Sequence, residues 1–233
     1  MIPITEKKES MTLLKADLHI HTRYSMDCQS SLDKIIARCQ ELGINCVAIA
    51  DHGTAEGGLE LKKIAPFKVI VAEEILTTEG EIMGMFLKET IPSGITPREA
   101  IKRIRAQGGL VNVQHPFETI RGSALKDKVI DEILPEIELM EVMNSRSPFP
   151  TSADKAKAYA EKHNIPGGAG SDAHTINEIG NAYIEMPDFN TKEEFIESIK
   201  QGKIYGKRSG VFVHIFSKWA MVKGKLSRRG ENE

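Results

Sequence analysis

Histidines and carboxylates recur together at several points of the 233-residue chain. Five short polar clusters contain five of the seven histidines, and they read Asp17-Leu18-His19-Ile20-His21, Asp51-His52, Glu73-Glu74, His115-Pro116 and Asp172-Ala173-His174. Imidazole and carboxylate groups without thiolate are typical ligands of catalytic Zn, Mn or Fe(II) ions that keep open coordination positions. The residue types therefore predict a site for two or three divalent metal ions, with Zn, Mn and Fe left open.

The spacing within the clusters supports a shared site. His19 and His21 are two residues apart, so on a strand their side chains point to the same side and can hold one ion together; Asp172 and His174 repeat this spacing. Two or three divalent ions outweigh the carboxylate charge, and a net positive site favours a phosphate dianion. Such ions lower the pKa of a bound water and contact both the attacking and the leaving oxygen in a displacement at phosphorus.

The elements that must position these clusters alternate along the chain. The apolar pattern predicts strands over residues 13–20, 45–50, 68–72, 81–87, 110–113, 137–142, 166–170 and 183–186. It predicts helices over residues 31–42, 56–64, 97–107, 124–134, 152–163, 191–201 and 211–222. Continuous apolar strands alternating with helices indicate an α/β fold, either a barrel or a doubly wound sheet. The polar clusters follow the strands, and carboxyl ends of parallel strands meet at one face, where active sites form.

The composition sets limits on partners and location. The formal net charge of −2 does not favour binding to nucleic acid or to a membrane surface through bulk charge. The first residues lack the apolar core of a signal peptide, and Cys28, Cys39 and Cys46 form no CxxC pair, so a cytoplasmic protein with reduced thiols is expected. We expect an N-terminal extension over residues 1–12, one domain over residues 13–222 and a disordered tail over residues 223–233.

The ordered clusters resemble the motifs of the PHP family, the polymerase and histidinol phosphatase domain. Asp17-Leu18-His19-Ile20-His21-Thr22 looks like the first motif, Asp51-His52 the second, Glu74 the third, His115-Pro116 the fourth and Ser171-Asp172-Ala173-His174 the last. The resemblance implies a single-domain α/β fold, a distorted seven-stranded (β/α)7 barrel with up to three metal ions. It assigns ligands in three groups, with Glu74 shared by the first two: His19, His21, Glu74 and Asp172; Glu74 and His115; Asp27, His52 and His174.

One departure from the family pattern concerns the second ion. Many members have a histidine ligand shortly after the glutamate, whereas the matching stretch here, residues 80–84, reads Gly-Glu-Ile-Met-Gly. The second ion therefore lacks one expected protein ligand. Asp51 is interpreted either as a partner that orients a ligand imidazole or as a plain carboxylate at a strand end.

The predicted activity is that of a metal-dependent phosphoesterase, which hydrolyses a phosphate monoester or diester with a metal-activated hydroxide. Arg23 and Arg146 are candidates for binding phosphate, with Arg208 a weaker one, and His174 is a candidate acid for the leaving group. The expected substrate is a nucleotide, an oligonucleotide end or another small phosphorylated metabolite. Histidinol-phosphate phosphatase activity and a non-catalytic, metal-stabilised binding module are the alternatives. Oligomeric state is not predicted.

Overall fold

Strands and helices alternate along the chain much as the apolar pattern predicts. The structure is a computed structural model that describes residues 13–207. Its strands are β1 Leu13–Ile20, β2 Cys46–His52, β3 Lys68–Thr77, β4 Gly80–Met85, β5 Leu110–Val113, β6 Leu139–Asn144, β7 Gly167–Gly170, β8 Ala182–Pro187 and β9 Lys203–Gly206. Its helices are α1 Leu32–Leu42, α2 Glu56–Ile64, α3 Pro97–Ala106, α4 Asp127–Glu132, α5 Pro150–His163 and α6 Lys192–Gln201.

The predictions for the two ends of the chain concern residues outside the described range. These are the extension over residues 1–12, the helix over residues 211–222, the tail over residues 223–233, and Arg208. Within residues 13–207, none of the helices is long and apolar enough to cross a membrane.

The strands form one sheet that almost closes into a barrel. Their order is β7-β6-β5-β4-β3-β2-β1-β8-β9. The ring closes at the carboxyl ends of β1 and β7. There, His21 N donates to Ala173 O at 3.0 Å and Ala173 N donates to His19 O at 3.3 Å. Strands β1 to β7 thus make the ring of the predicted seven-stranded barrel, and the α/β barrel prediction is confirmed. The described part of the chain has two strands more, since β8 and β9 extend the sheet beyond β1.

Strand direction departs from a uniform parallel barrel at β4. Strands β1, β2 and β3 are parallel neighbours, as are β5, β6 and β7, whereas β4 is antiparallel to both β3 and β5. The tight β3–β4 connection makes a hairpin, and the sequence predicts this pairing of the strand over residues 81–87 with the residues before it. Because β4 runs backwards, its first residues lie at the carboxyl end of β3, on the face where the polar clusters gather.

Alternation along the strands separates the two faces of the sheet. In β2, Cys46, Ala48 and Ala50 belong to an inner cluster that includes Phe195 of α6, whereas Val47 and Ile49 pack with residues of α1 and α2. Small residues on the inner face let the barrel close around few bulky side chains. The apolar core therefore fills the barrel and the outer layer, and leaves the polar residues at the carboxyl ends of the strands.

Helix ends follow local sequence signals in most cases. Thr96 Oγ1 accepts from Glu99 N at the start of α3, with Pro97 at the first helical position, and Gly43 ends α1 with a φ of 66°. Ser31 precedes α1 but its side chain makes no capping hydrogen bond. The predicted helix over residues 124–134 is shorter, and a 3₁₀ turn containing Pro135 follows it, because proline cannot donate to a continued helix.

Candidate metal centre

A register shift in β1 aims the first pair of histidines into the barrel mouth. The pairing of β1 with β2 is irregular between Asp17 and Ile20. Leu18 belongs to the inner apolar cluster, whereas Ile20 packs on the outer side. His19 and His21 flank Ile20, and both of their side chains are fully buried. A bulge of this kind re-aims side chains and is frequent beside active sites.

His19 and His21 bring their Nε2 atoms to 3.1 Å of each other. Asp172 Oδ1 lies 3.7 Å from His19 Nε2 and 3.3 Å from His21 Nε2. Glu74 Oε1 lies 3.3 Å from His19 Nε2, and Glu74 Oε2 lies 3.5 Å from His21 Nε2. Four tetrahedral ligands about 2.1 Å from one ion are separated by about 3.4 Å. The four side chains predicted for the first ion therefore already have the spacing of a metal site.

Several carboxylate oxygens in this cluster have no hydrogen-bond donor. Between residues 13 and 207, the buried oxygens without a hydrogen-bond partner include Asp27 Oδ1, Glu74 Oε2, Glu81 Oε2 and Asp172 Oδ1. Buried polar atoms are normally paired, because desolvation without a partner costs about 1–3 kcal/mol and more for a charged group. Divalent cations would satisfy these oxygens, so the residues present fit the metal ions that the sequence predicts.

The group predicted for the third ion also comes together. Asp27 Oδ2 lies 3.0 Å from His174 Nε2 and 3.5 Å from His52 Nε2. The ring centroids of His21 and His174 are 4.1 Å apart, and His21, His52 and His174 can place one ligand atom each within 4.8 Å of one another. Asp27 therefore bridges the histidines at the outer edge of the cluster.

The group predicted for the second ion contains a residue that sequence reasoning missed. His115 Nε2 lies 2.9 Å from Glu74 Oε1, as expected for the shared glutamate. Glu81 adds a second buried carboxylate, with Oε1 at 3.3 Å from His52 Nδ1 and Oε2 at 3.9 Å from His115 Nε2. The sequence showed only that residues 80–84 lack a histidine; strand alternation from Met83 would have pointed Glu81 to the same face.

Hydrogen bonds behind the ligands orient the imidazole rings. Glu141 Oε1 lies 3.0 Å from His19 Nδ1, Ser25 Oγ lies 3.2 Å from His21 Nδ1, and the carbonyl oxygen of Asp172 lies 2.9 Å from His174 Nδ1. A proton on each Nδ1 leaves the lone pair of Nε2 to face the cluster. Partners of this kind fix the tautomer and orientation of metal-binding histidines.

Arg121 is a second functional candidate that the sequence did not single out. Its Nη2 donates to Asp172 Oδ2 at 2.7 Å, and its Nε donates to Glu118 Oε2 at 3.0 Å. Glu118 also accepts from Ser147 Oγ. The arginine lies in an irregular connection between β5 and α4, where no periodic pattern marks its partner. It brings a cation to the back of a carboxylate that faces the metal site.

The charges of the cluster shift the proton affinities of its members. Burial, reinforced by the neighbouring His174, lowers the pKa of His21 to about 3, which keeps its imidazole neutral and able to bind a metal ion. Burial opposes the charge of Asp172, but Arg121 and His19 outweigh it and hold the pKa of that carboxyl well below its usual range. Burial likewise opposes ionisation of Glu74, and His19 and His52 overcome it, so its pKa is also lowered.

The predicted phosphate-binding arginines lie in different environments. Arg23 is exposed, and its guanidinium lies 5.8 Å from the ring of Tyr24. Arg146 is buried, with Nη1 at 3.6 Å from Glu178 Oε1, and Glu178 Oε2 accepts from the backbone nitrogen of His174. Arg146 thus supports the segment that carries His174, whereas no contact in the described structure joins Arg23 to the ligand cluster.

Two residues near the cluster have structural partners. Asp51 accepts from Thr22 N at 2.6 Å and from Thr22 Oγ1 at 2.7 Å, so it anchors the loop after β1. Cys28 Sγ lies 3.1 Å from the carbonyl oxygen of His174 and 3.4 Å from that of His21. Its contacts are with backbone, and they join two loops that carry ligands.

Comparison with known proteins bears on the family of the chain. The family model described as the PHP domain matches residues 17–103, and the PHP-associated model matches residues 150–204. Two uncharacterized proteins of Methanocaldococcus jannaschii are similar. MJ1587 is 42% identical over 139 residues, with 54% of this chain and 81% of the relative covered. MJ0417 is 37% identical over 200 residues, with 80% and 79% covered.

A solved structure shares the fold. It is a two-domain protein from Bacteroides vulgatus that contains a predicted PHP-like metal-dependent phosphoesterase. The match has a TM-score of 0.61 and 15% identity, and covers 84% of this chain and 65% of that one. The two family models together match residues 17–103 and 150–204, and the chain belongs to the PHP family.

Proposed function

We propose that this protein is a metal-dependent phosphoesterase that hydrolyses a phosphate monoester or diester. The observation that carries the proposal is the buried cluster itself, in which imidazole nitrogens and unpartnered carboxylate oxygens face one another at the spacing of metal ligands. Candidate substrates are nucleotides, oligonucleotide ends and other small phosphorylated metabolites.

The charge of the cluster suits a phosphate ester. The four carboxylates that face the histidines, Asp27, Glu74, Glu81 and Asp172, carry about −4, whereas two or three divalent ions carry about +4 to +6. Bound ions would supply Lewis-acid charge that lowers the pKa of water and neutralises phosphate oxygens. The net charge of the metal-loaded site would then be neutral to positive, which favours an anionic substrate.

Two side chains at the cluster, Arg121 and His174, would position a metal ligand and supply a proton. Arg121 donates to Asp172 from behind, and Glu118 accepts from Arg121 on its other side, so the direction of the free Asp172 oxygen is fixed before substrate binds. His174 Nε2 lies 3.0 Å from Asp27 Oδ2, so this nitrogen either binds a metal ion or, in a state without that bond, carries a proton for the leaving oxygen.

The sequence left two alternatives to this function, a histidinol-phosphate phosphatase and a non-catalytic binding module. The PHP resemblance permits histidinol phosphate as the substrate, and no contact in the described residues favours it over other monoesters. A non-catalytic binding module was favoured only by the histidine missing from residues 80–84. Because Glu81 reaches the cluster from that stretch, this feature no longer favours a degenerate site.

The test is phosphate release by protein whose metal content has been measured. The purified chain is reconstituted with Mn²⁺, Zn²⁺ or anaerobic Fe²⁺ and assayed on p-nitrophenyl phosphate, bis-p-nitrophenyl phosphate, nucleoside monophosphates, histidinol phosphate and 5′-phosphorylated oligonucleotides. We expect hydrolysis of at least one ester, and loss of that activity in His19→Ala and Asp172→Asn.

A histidine outside the cluster gives the matched control. His163 ends α5 and packs against the ring of Tyr159, so His163→Ala should keep the activity of the unsubstituted protein. Activity that survives both His19→Ala and Asp172→Asn would contradict the proposal. So would metal-replete protein that hydrolyses none of the esters.

A further inference from the structure

Glu81 stands where the family pattern leads us to expect a histidine ligand, and within the described residues one oxygen of its buried carboxylate has no hydrogen-bond donor. Its side chain is 6% exposed, and among residues 13–207 Oε2 has no hydrogen-bond partner. Glu74, fully buried, faces the same histidines. Two neighbouring buried carboxylates are costly unless a cation or donors compensate them.

Carboxylate oxygens and imidazole nitrogens face each other in pairs around this position. Glu74 Oε2 lies 3.0 Å and Glu81 Oε1 lies 3.3 Å from His52 Nδ1. Glu74 Oε1 lies 2.9 Å and Glu81 Oε2 lies 3.9 Å from His115 Nε2. His52, Glu74 and Glu81 can place one ligand atom each within 4.8 Å of one another.

The sheet explains why Glu81 reaches this position. Strand β4 is antiparallel to β3, with Glu74 opposite Met83. Met83 belongs to the inner apolar cluster, and Glu81 is two residues away, so its side chain points to the same face. Ile82 between them packs on the outer side. A strand running in the other direction would have carried Glu81 to the opposite end of the barrel.

His52 alone cannot serve every ion of the cluster. Its Nδ1 faces Glu74 and Glu81, whereas its Nε2 lies 3.5 Å from Asp27 Oδ2. A neutral imidazole offers one lone pair, so an ion beside Asp27 and an ion beside Glu81 compete for it. Glu81 relieves this competition, because its second oxygen faces His115 and a carboxylate can bind through either oxygen.

We propose that Glu81 is a metal ligand that completes a carboxylate-rich second site with Glu74 and His115, which leaves the lone pair of His52 Nε2 to the ion beside Asp27. Replacing a histidine by a carboxylate favours ions that prefer oxygen ligands. The second site therefore takes Mn²⁺ more readily, relative to Zn²⁺, than the same site with a histidine at position 81. This proposal concerns metal binding and is tested without turnover.

The experiment measures bound metal in the full-length chain. Metal-stripped protein is titrated with MnCl₂ alone and with ZnCl₂ alone, bound metal is counted by elemental analysis after desalting, and Mn²⁺ spectra are recorded by electron paramagnetic resonance. Glu81→Gln keeps the size of the side chain but removes its charge. We expect it to bind about one Mn²⁺ fewer per chain, or to weaken that ion by at least about 10-fold, with loss of the spin-coupled signal of neighbouring ions.

Two further variants make the result specific. Glu79→Gln is the matched control, because Glu79 lies on the same hairpin and pairs with Lys126 at the surface. Glu79→Gln should bind Mn²⁺ like the unsubstituted protein. Glu81→His should restore the second ion but lower the ratio of Mn²⁺ to Zn²⁺ affinity.

Three outcomes would overturn the proposal. An unchanged Mn²⁺ count, affinity and spectrum in Glu81→Gln would remove Glu81 from the ligand set, and an unchanged affinity ratio in Glu81→His would remove the preference. Equal losses in Glu79→Gln and Glu81→Gln would indicate a general effect of the hairpin. Thermal unfolding in EDTA, expected to be equal or higher in Glu81→Gln because one buried charge is gone, separates loss of the site from loss of the fold.

Discussion

Arg121 Nη2 donates to Asp172 Oδ2 at 2.7 Å, while the other oxygen of Asp172 faces His19 and His21. One carboxylate is thus held by a guanidinium on one side and offered to a metal ion on the other. Burial opposes the charge of Arg121, but Asp172 and Glu118 outweigh it and raise its pKa further, so this cation persists at any working pH. The arginine fixes the direction in which Asp172 presents its free oxygen.

Removing the Arg121 cation should impair catalysis more than folding. We expect Arg121→Gln to lower kcat/KM about 10- to 100-fold at matched metal content, the range seen when partners behind metal ligands are lost. Arg121→Lys keeps the charge but cannot make both contacts, so its kcat/KM should lie between that of Arg121→Gln and that of the unsubstituted protein. Steady-state kinetics at saturating metal make the comparison. Arg98→Gln, an exposed position on α3, is the control; equal kinetics for all three variants would show that Arg121 has no role.

Glu141 positions two ligand segments at once. Its Oε1 faces His19 Nδ1, and its Oε2 accepts from His115 N at 2.7 Å and from Asn144 Nδ2 at 2.9 Å. In Glu141→Gln one acceptor oxygen becomes an NH₂ donor, which must then face a donor on one side or the other. We expect metal affinity to fall about 10- to 100-fold, measured by competition with a chromophoric chelator.

The matched change for that prediction is Glu132→Gln at the exposed end of α4, which should leave metal affinity as it is. If Glu141→Gln bound metal as tightly as Glu132→Gln, the orientation of His19 would not depend on Glu141.

Gly170 lets β7 approach the first ligand histidine. A Cβ atom at position 170 would lie 2.3 Å from His19 Cβ and 2.8 Å from His19 N. Both neighbours belong to a buried strand, so they cannot move aside as a flexible side chain would. We expect Gly170→Ala to lower the free energy of unfolding by about 1–3 kcal/mol or more and to displace His19.

Urea denaturation gives the free energies for this comparison. Gly122→Ala is its control, because a Cβ at that position meets no heavy atom within 4 Å. A Gly170→Ala protein as stable as Gly122→Ala would mean that the strands separate here at little cost.

Metal removal should destabilise the fold, because the unpartnered carboxylates then face each other without a cation. For an ion present at about 100 times its dissociation constant, linkage predicts a loss of about 2.7 kcal/mol. In a domain of this size that corresponds to a fall of about 5–10 °C in Tm. Circular dichroism melts with EDTA and with Mn²⁺ make the measurement, and His19→Ala should show a smaller difference. Identical melting temperatures in EDTA and Mn²⁺ would rule out ions bound to the folded state.

Much of the site was accessible from the sequence because its clues are local. A two-residue spacing on a strand places His19 and His21 on one side whatever the rest of the fold does, and the structure brings them together. Runs of apolar residues between the clusters were enough to predict an α/β fold, either a barrel or a doubly wound sheet, and the resemblance to the PHP family selected the barrel. The PHP motifs then ordered the ligands, since each motif is a short stretch in a fixed position relative to its strand.

Residues that no motif marks were not accessible in the same way. Glu81 joins the cluster because β4 runs antiparallel to β3 and turns this side chain to the inner face; the predicted hairpin implied that direction, but no motif identified a glutamate in place of the missing histidine. Arg121 joins it through a loop without periodicity, whereas Arg23, beside the first motif, points to solvent. The sequence by itself determined which residue types can bind metal and which strand ends carry them. The tertiary structure decided which further charges meet there, because such contacts join residues far apart in the chain.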